Sequence, residues 1–521
     1  MNKLKKIIYA IVVSLVFAGC HDMLDVEPYS VLTDENYFQD ENDVKSAATG
    51  VYDVLSDKNS GLYGGDFFLF NTLSTDEAYT ERQNEREISE FLYNPSTSYI
   101  EKIWFGSYKL INRANKFIEK VEAMDTTMVE LDIKRRYLGE VRFLRALNYF
   151  NLVRHYNRIP LRTHSTTGID DTHVPVSEPW DVYKVILADL DSAIVALPNH
   201  LGGSELGHAD KAAAIALKSK VCLTIAGYPL FGGEMGETTA YTQARDLARE
   251  LIDNKGDYEL DLWAYYGDEF ETEHDNGIED IFCIQFSSTV GLAPSFEGTK
   301  IHKEVFKSTK KNGVTYDGKH TIRPSLYLKN IIGENDQRGN LISNKFTIGD
   351  KEYTNKENNK KPNMQMFHKW IDQAILDGAL NAQVSDQNWK VFRFAEMYLI
   401  AAEAENELNG PTEDAYALLN TIRTRARNDK DGNPIEDAVP NLDGLDQESF
   451  RKAVLNERFI ELHAEGKRWF DLVRTQTFEE QIEAAKAVRE FEFPAQVPEG
   501  YILPIPYEEY ISNDAIDSAY N

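Results

Sequence analysis

Cysteine is scarce in this chain. The 521 residues hold three, Cys20, Cys222 and Cys283, and no two stand at the spacing of a metal knuckle. Cys222 and Cys283 lie in the apolar runs KVCLTIA and IFCIQF and read as small buried hydrophobes. A disulfide between them is left open by sequence alone. Positive charge is also short: Lys plus Arg number 56 against 85 for Asp plus Glu, a net charge of -29. An acidic surface repels phosphate backbones, so nucleic acid is excluded as a partner. The chain has no HExxH helix, no GxSxG elbow, no phosphate-cradling glycine loop and no CxxC pair, the motifs that would bring a metal, a nucleophile or a nucleotide. Its 11 histidines are scattered singly, and His155 and His368 read as hydrogen-bonded structural groups. The paired carboxylates of glycoside hydrolysis need a separation of roughly 5 to 9.5 Å across a cleft, which sequence cannot show. The expectation is a protein that is not an enzyme and carries no cofactor. A structural calcium on loop carboxylates stays open, although no ligand series resembles an EF-hand.

Long apolar runs are missing too, with one exception. After the basic start MNKLKK comes IIYAIVVSLVFA, which closes on VFAGC at residues 16–20. The run is too short to cross a membrane comfortably and has the length of a signal peptide. Small residues before a lone cysteine resemble a bacterial lipobox. The expected layout is a signal peptide over 1–19, acylation of Cys20, a tether over 20–45, and one domain over 46–521. Acyl chains on Cys20 would anchor the body to a membrane, stably if two or more are attached.

What is abundant is helical periodicity. In 99–121 the positions Ile100, Ile103, Trp104, Ile111, Ala114 and Ile118 follow helical spacing. Residues 133–155 do the same, and Pro160 stops them. A third helix is expected from Pro179 to Leu197. Three stretches repeat one theme: 142–152 followed by ADLDSAIVAL, 213–227 followed by YTQARDLARELI, and 393–408 followed by EDAYALLNTIRTRA. Each is a helix with small residues where a partner approaches, then a second amphipathic helix, as in tetratricopeptide pairs. The fold class expected is mostly α, a tetratricopeptide-like scaffold with long irregular insertions near 56–95 and 255–390 and a few short strands. EDIFCIQFS (279–287) reads as one such strand. The proline-rich tail from FPAQ to ISND reads as an extended strap with no helix.

The stretch NERFIELHAEGKRWFDLVRT, residues 456–475, puts Glu457, Glu461 and Glu465 on one helical face beside His463. That row suggests a metal site or an acid–base pair. Its charges nearly balance, however, and its apolar residues form two stripes. It reads instead as two helices joined at EGKR and pinned by Arg–carboxylate forks. Together with the lipobox, CHDMLDVEP, VRFLRALNYFNLVRHYNRIPL, FRFAEMYLIAAEAENELNGPTEDAYALLNTIRTRA and YILPIPYEEYISN, this block resembles the SusD/RagB family of outer-membrane lipoproteins of Bacteroidetes. The resemblance spans nearly the whole chain, and departs at 287–370.

The resemblance implies four helix pairs as a scaffold and an exposed glycan site on inserted loops. It implies a SusC-like TonB-dependent transporter as partner, a location on the outer face of the outer membrane, and a hinged lid that breaks no bond. Peptide-binding members exist, so a peptide lid of the RagB type is the alternative, with a surface glycoside hydrolase behind it. Sugars call for exposed rings and hydroxyl forks. Tyr79, Arg82 and Asn84 in 63–84, and Phe296, His302 and Tyr316 in 291–327, are the candidates, with Trp370 added as half-buried. Phe67, Phe68, Phe70, Trp104 and Trp469 are expected in the core. The basic stretches 307–319 and 355–362 read as solvated loops, and the acidic charge favours glycans that are not strongly anionic.

Overall fold

The computed structural model describes residues 37–57, 60, 62–80, 83–227, 235–287, 310–311, 314–315, 322–348, 351–354, 365–371, 385–489, 493 and 501–516. The segments read as signal peptide and lipobox, Cys20 included, lie outside the described residues. Among those described, 15 helices form. They are α1 Glu41–Ser56, α2 Asp66–Leu73, α3 Gln83–Ser89, α4 Ser98–Ala123, α5 Leu131–Tyr156, α6 Pro179–Ala196, α7 Lys211–Gly227, α8 Glu237–Asp253, α9 Leu326–Ile332, α10 Phe394–Asn409, α11 Glu413–Ala426, α12 Gln447–Glu461, α13 Arg468–Arg474, α14 Phe478–Val488 and α15 Tyr507–Ser512.

Helices form where apolar residues recur at three and four. All six positions expected in α4 are buried. From Tyr137 onward α5 is buried on every side, because α4 and α6 cover it on two flanks and α1 on a third. Asn157 ends it at φ 61, its N–H bonded to the Val153 carbonyl, two residues before the Ile159–Pro160 strand. Each main helix packs on the next: α4 on α5, α5 on α6, α6 on α7, α7 on α8. The three expected pairs, α5/α6, α7/α8 and α10/α11, all form.

Small residues set their spacing. Ala212, Ala213 and Ala216 of α7 and Ala240, Ala244 and Ala248 of α8 are buried, and the Ser219 hydroxyl donates to the Ala244 carbonyl at 2.7 Å. At Gly106 of α4 a Cβ would lie 1.7 Å from the Ser60 carbonyl oxygen, so only glycine fits. α8 also packs on α10, across the whole second insertion.

Two boundaries differ from expectation. α1 starts at Glu41, inside the segment read as tether, and its Val44 is fully buried. The tail is extended over 501–506, where Leu503 N–H donates to the His155 carbonyl at 2.7 Å. It then turns into α15, which was not expected. Pro506 stands at the N-cap of that helix, where a missing N–H leaves nothing unsatisfied, and α15 itself has no proline.

The charged stretch is a lattice. α12 and α13 meet over 462–467, where Ala464 (φ 57) and Gly466 (φ 66) reverse the chain. The Glu461 carboxylate accepts from Arg425 at 2.6 Å and from Arg393 and Arg338 at 3.2 Å each. Glu465 accepts from Lys369 at 2.7 Å and from Arg393 at 3.0 and 2.8 Å. Glu457 lies 2.6 Å from Arg338, which also forks onto Asp336. All of these side chains are buried. His463 turns Nδ1 to the Ile460 carbonyl at 2.7 Å. The row of carboxylates is filled by the protein's own cations. Among the described residues no cluster of three or more His, Cys, Asp or Glu could hold a metal.

Burial alone would raise these carboxyls. The Arg425, Arg393 and Arg338 guanidiniums outweigh it at Glu461 and hold it at about 2. Arg393 and Lys369 do the same at Glu465, also about 2. The unfolded chain therefore binds more protons than the fold between the ordinary 4.5 and about 2. Stability is fully present above that window and drains as pH falls through it. Glu465→Gln is expected to cost about 3–5 kcal/mol at neutral pH and to flatten the acid limb. Thermal melts of both proteins from pH 7 to 2 check both effects.

Candidate functional site

The two segments favoured as sugar loops are joined by hydrogen bonds. Ala78–Thr80 pairs antiparallel with Ile322–Pro324, with Tyr79 opposite Arg323. The root of this ladder is tied to the lattice. Arg468 forks onto Asp76 at 2.8 and 2.6 Å. Ser325 donates its hydroxyl to the Asp76 carbonyl at 2.6 Å and its N–H to the Glu77 carbonyl at 2.8 Å. The Ala464 N–H, in the α12–α13 joint, donates to the Glu77 carboxyl at 3.0 Å. Burial pushes that carboxyl up to about 8, with the Ala464 N–H opposing and the Asp76 charge reinforcing. Burial thus favours the protonated form of Glu77.

Two further ladders join separated parts of the second insertion. Asp280–Ile284 pairs with Trp389–Arg393. Below it Lys390 reaches Asp275 at 2.8 Å and Asp280 at 2.7 Å, and the Asn388 side chain accepts from the Phe286 N–H at 2.9 Å. Ile342–Ser343 pairs with Met366–Phe367, which packs on Ile322–Pro324. The stretches 288–309, 316–321, 355–364 and 372–384 lie outside the described residues, and each is flanked in sequence by one of these ladders. Such a platform supplies rigid, closely spaced roots for loops. Its named charges are engaged within the protein.

The expected site residues divide accordingly. Tyr79 is 2% exposed and offers no ring to solvent. It sits on a three-residue strand buried on both faces, so no outward position exists. Trp370 is 1% exposed, not half-buried. Its Nε1 donates to the Ala464 carbonyl at 2.7 Å, and its ring stacks on Trp389 at 4.5 Å. Both belong to the core. Asn84 lies in α3 rather than in a loop, and its side chain is outside the described residues, as are Arg82, Phe296, His302 and Tyr316. Phe67, Phe68, Phe70, Trp104 and Trp469 are core residues as expected. His155 is buried too, bonded to the Asn151 carbonyl and the Asn71 side chain at 2.9 Å each, and His368, part-buried, lies 3.2 Å from the Ser343 carbonyl. Cys222 and Cys283 are buried and free. The positioning residues Asp76, Glu77, Ser325 and Asn388 were missed. Their partners lie up to 392 residues away, and no local pattern marks them.

A family model described as the SusD family matches residues 234–521. The chain belongs to the SusD family. A second model, described as starch-binding associating with outer membrane, matches 22–223. A SusD-like protein P38 from Formosa agariphila is 28% identical over 502 residues, covering 91% of this chain and 92% of that one. The crystal structure of a SusD homolog from Bacteroides thetaiotaomicron superposes with a TM-score of 0.78 at 25% identity, over 93% of this chain and 97% of its own. The structure of a laminarin-binding SusD-like protein superposes with a TM-score of 0.69 at 22% identity, over 92% of this chain and 99% of its own. The SusD-like helical scaffold is therefore shared, with the ladders set within it.

Two outcomes test the platform. Tyr79→Ala is expected to lower unfolding stability by about 3–5 kcal/mol, the scale for a buried aromatic, as read by urea titration. For Glu77 the folded state binds the extra proton between 4.5 and about 8, so its contribution to stability falls as pH rises through that window. Glu77→Gln is expected to melt above the parent at pH 8 and level with it at pH 4.

Proposed function

We propose that this protein is a cell-surface glycan-binding lipoprotein. It captures oligosaccharide or polysaccharide and closes as a lid over a SusC-like TonB-dependent transporter in the outer membrane. It is anchored by acyl chains on Cys20, faces the exterior and breaks no bond. The observation that carries this reading is the platform: three ladders, braced by a buried ion-pair lattice, hold the insertions of a SusD-family scaffold. A rigid root lowers the ordering cost of binding. The laminarin-binding relative with this fold, the starch-binding description matched at 22–223 and the lipobox at 16–20 support the ligand class and the location.

The contacts proposed are Arg82, Asn84, Phe296, His302 and Tyr316. Rings of Phe296 and Tyr316 would stack on the C–H faces of a sugar, while Arg82, Asn84 and His302 would serve hydroxyls. The net charge of -29 favours neutral glycans over anionic ones.

The soluble body, lacking Cys20, is expected to be retarded in native gels that contain laminarin, xyloglucan or starch. Tyr316→Ala and Phe296→Ala are each expected to weaken binding about tenfold, roughly 1.4 kcal/mol, with melting temperature unchanged. Absence of retention on every glycan, with a peptide mixture retained instead, overturns the ligand class. Release of reducing sugar overturns the non-catalytic role.

A further inference from the structure

Arg154 of α5 is buried without a carboxylate. Its guanidinium is sandwiched between the rings of Phe150 and Phe470, 3.7 and 3.6 Å from their centroids. Nε donates to the Phe150 carbonyl at 3.0 Å and Nη2 to the Asn151 side chain at 2.7 Å. Nη1 is buried and has no hydrogen-bond partner in the protein. The residue lines a cavity of about 30 Å³, shared with Tyr63, Lys220 and Lys467 and lined also by the rings of Phe392 and Trp389. All of these residues are buried. The Tyr63 hydroxyl already accepts from Asn151 at 2.9 Å, so its proton is left to donate.

The charge around the cavity does not balance. Lys220, Lys467 and Arg458 share one carboxylate, Glu396, at 2.7, 2.6 and 3.3 Å. Arg458 and Arg474 share Asp471 at 2.9 Å each, and Arg474 also takes Glu403. Four cations stand against three carboxylates, and Arg154 makes a fifth. Of the other charged residues on the wall, Glu465 is held by Arg393 and Lys369, and Lys390 by Asp275 and Asp280. An uncompensated buried cation is expensive. The strain shows at Lys220: burial, with Lys467, Arg154 and Arg458 adding to it against Glu396, holds its ammonium well below the ordinary lysine range.

We propose that this cavity binds one small monatomic anion, chloride under ordinary conditions, through Arg154 Nη1 and the Tyr63 hydroxyl. The volume exceeds the 10–15 Å³ or so that a single water needs, which leaves room for a monatomic ion. The anion would lower the excess positive charge of a lattice on which α5, α7, α10, α12 and α13 converge.

The test uses the soluble body exchanged into sodium gluconate, then titrated with sodium chloride or bromide at constant ionic strength. A saturable rise in melting temperature is expected with both halides, following ligand linkage. Crystals grown in bromide are expected to show one anomalous peak beside Arg154. Tyr63→Phe keeps the ring and removes one donor to a charged acceptor, so bromide affinity is expected to fall about tenfold with the fold intact. Arg154→Met is expected to abolish the halide response; if it fails to fold, Tyr63→Phe and the anomalous peak decide. Equal melting in gluconate and chloride, or no bromide peak in the cavity, overturns the proposal and leaves water as the occupant.

Discussion

Arg393 is the contact on which the rest of the structure depends. It ends the Trp389–Arg393 strand and stands at the N-cap of α10, so it belongs to an insertion ladder and to the scaffold at once. Its guanidinium reaches Glu279, Glu461 and Glu465, which lie before the partner strand, at the end of α12 and in the α12–α13 joint. Each of these groups is buried, and none is tolerable alone in a medium of low polarity. They are stable only as a set. The set forms only when α10, α12, the joint and the Asp280–Ile284 strand are in place together. In a chain with 29 more acids than bases, this concentration of arginine inside marks where positive charge is structurally required.

The helical scaffold was legible because a period near 3.6 is a local property. α4 was read position by position, and the three repeated helix pairs were found from small residues followed by an amphipathic partner. The joint at Gly466 and the structural character of Glu461 and Arg468 were legible as well, since opposite charges in balance argue for pairing. α15 was hidden by the prolines around it, whose effect stops at the N-cap.

The site was less legible, for a physical reason. Tyr79 sits among Ser, Thr, Asp and Glu, a composition that ordinarily means solvent. Those polar neighbours are buried because Arg468 and Ala464 arrive from the other end of the chain to satisfy them. Trp370 was misjudged in the same way, since the carbonyl that accepts its N–H belongs to residue 464. Burial of a polar segment is decided by distant partners, and a window of ten residues does not contain them. The segments where a sugar is sought lie between the ladders, and their sequences have no period to read.

The contact of α8 with α10 has a consequence for how this chain tolerates change. It closes a loop that runs from Asn254 to Arg393. The entropy of closing a loop rises only with the logarithm of its length, about 0.6 kcal/mol per doubling. Lengthening or shortening the excursions between the ladders therefore perturbs stability far less than one missing carboxylate in the lattice. The same chain has a part that hardly bears a substitution and a part whose length is nearly free. Polymer statistics alone thus allow the excursions to be exchanged wholesale while the helices beneath them keep their places.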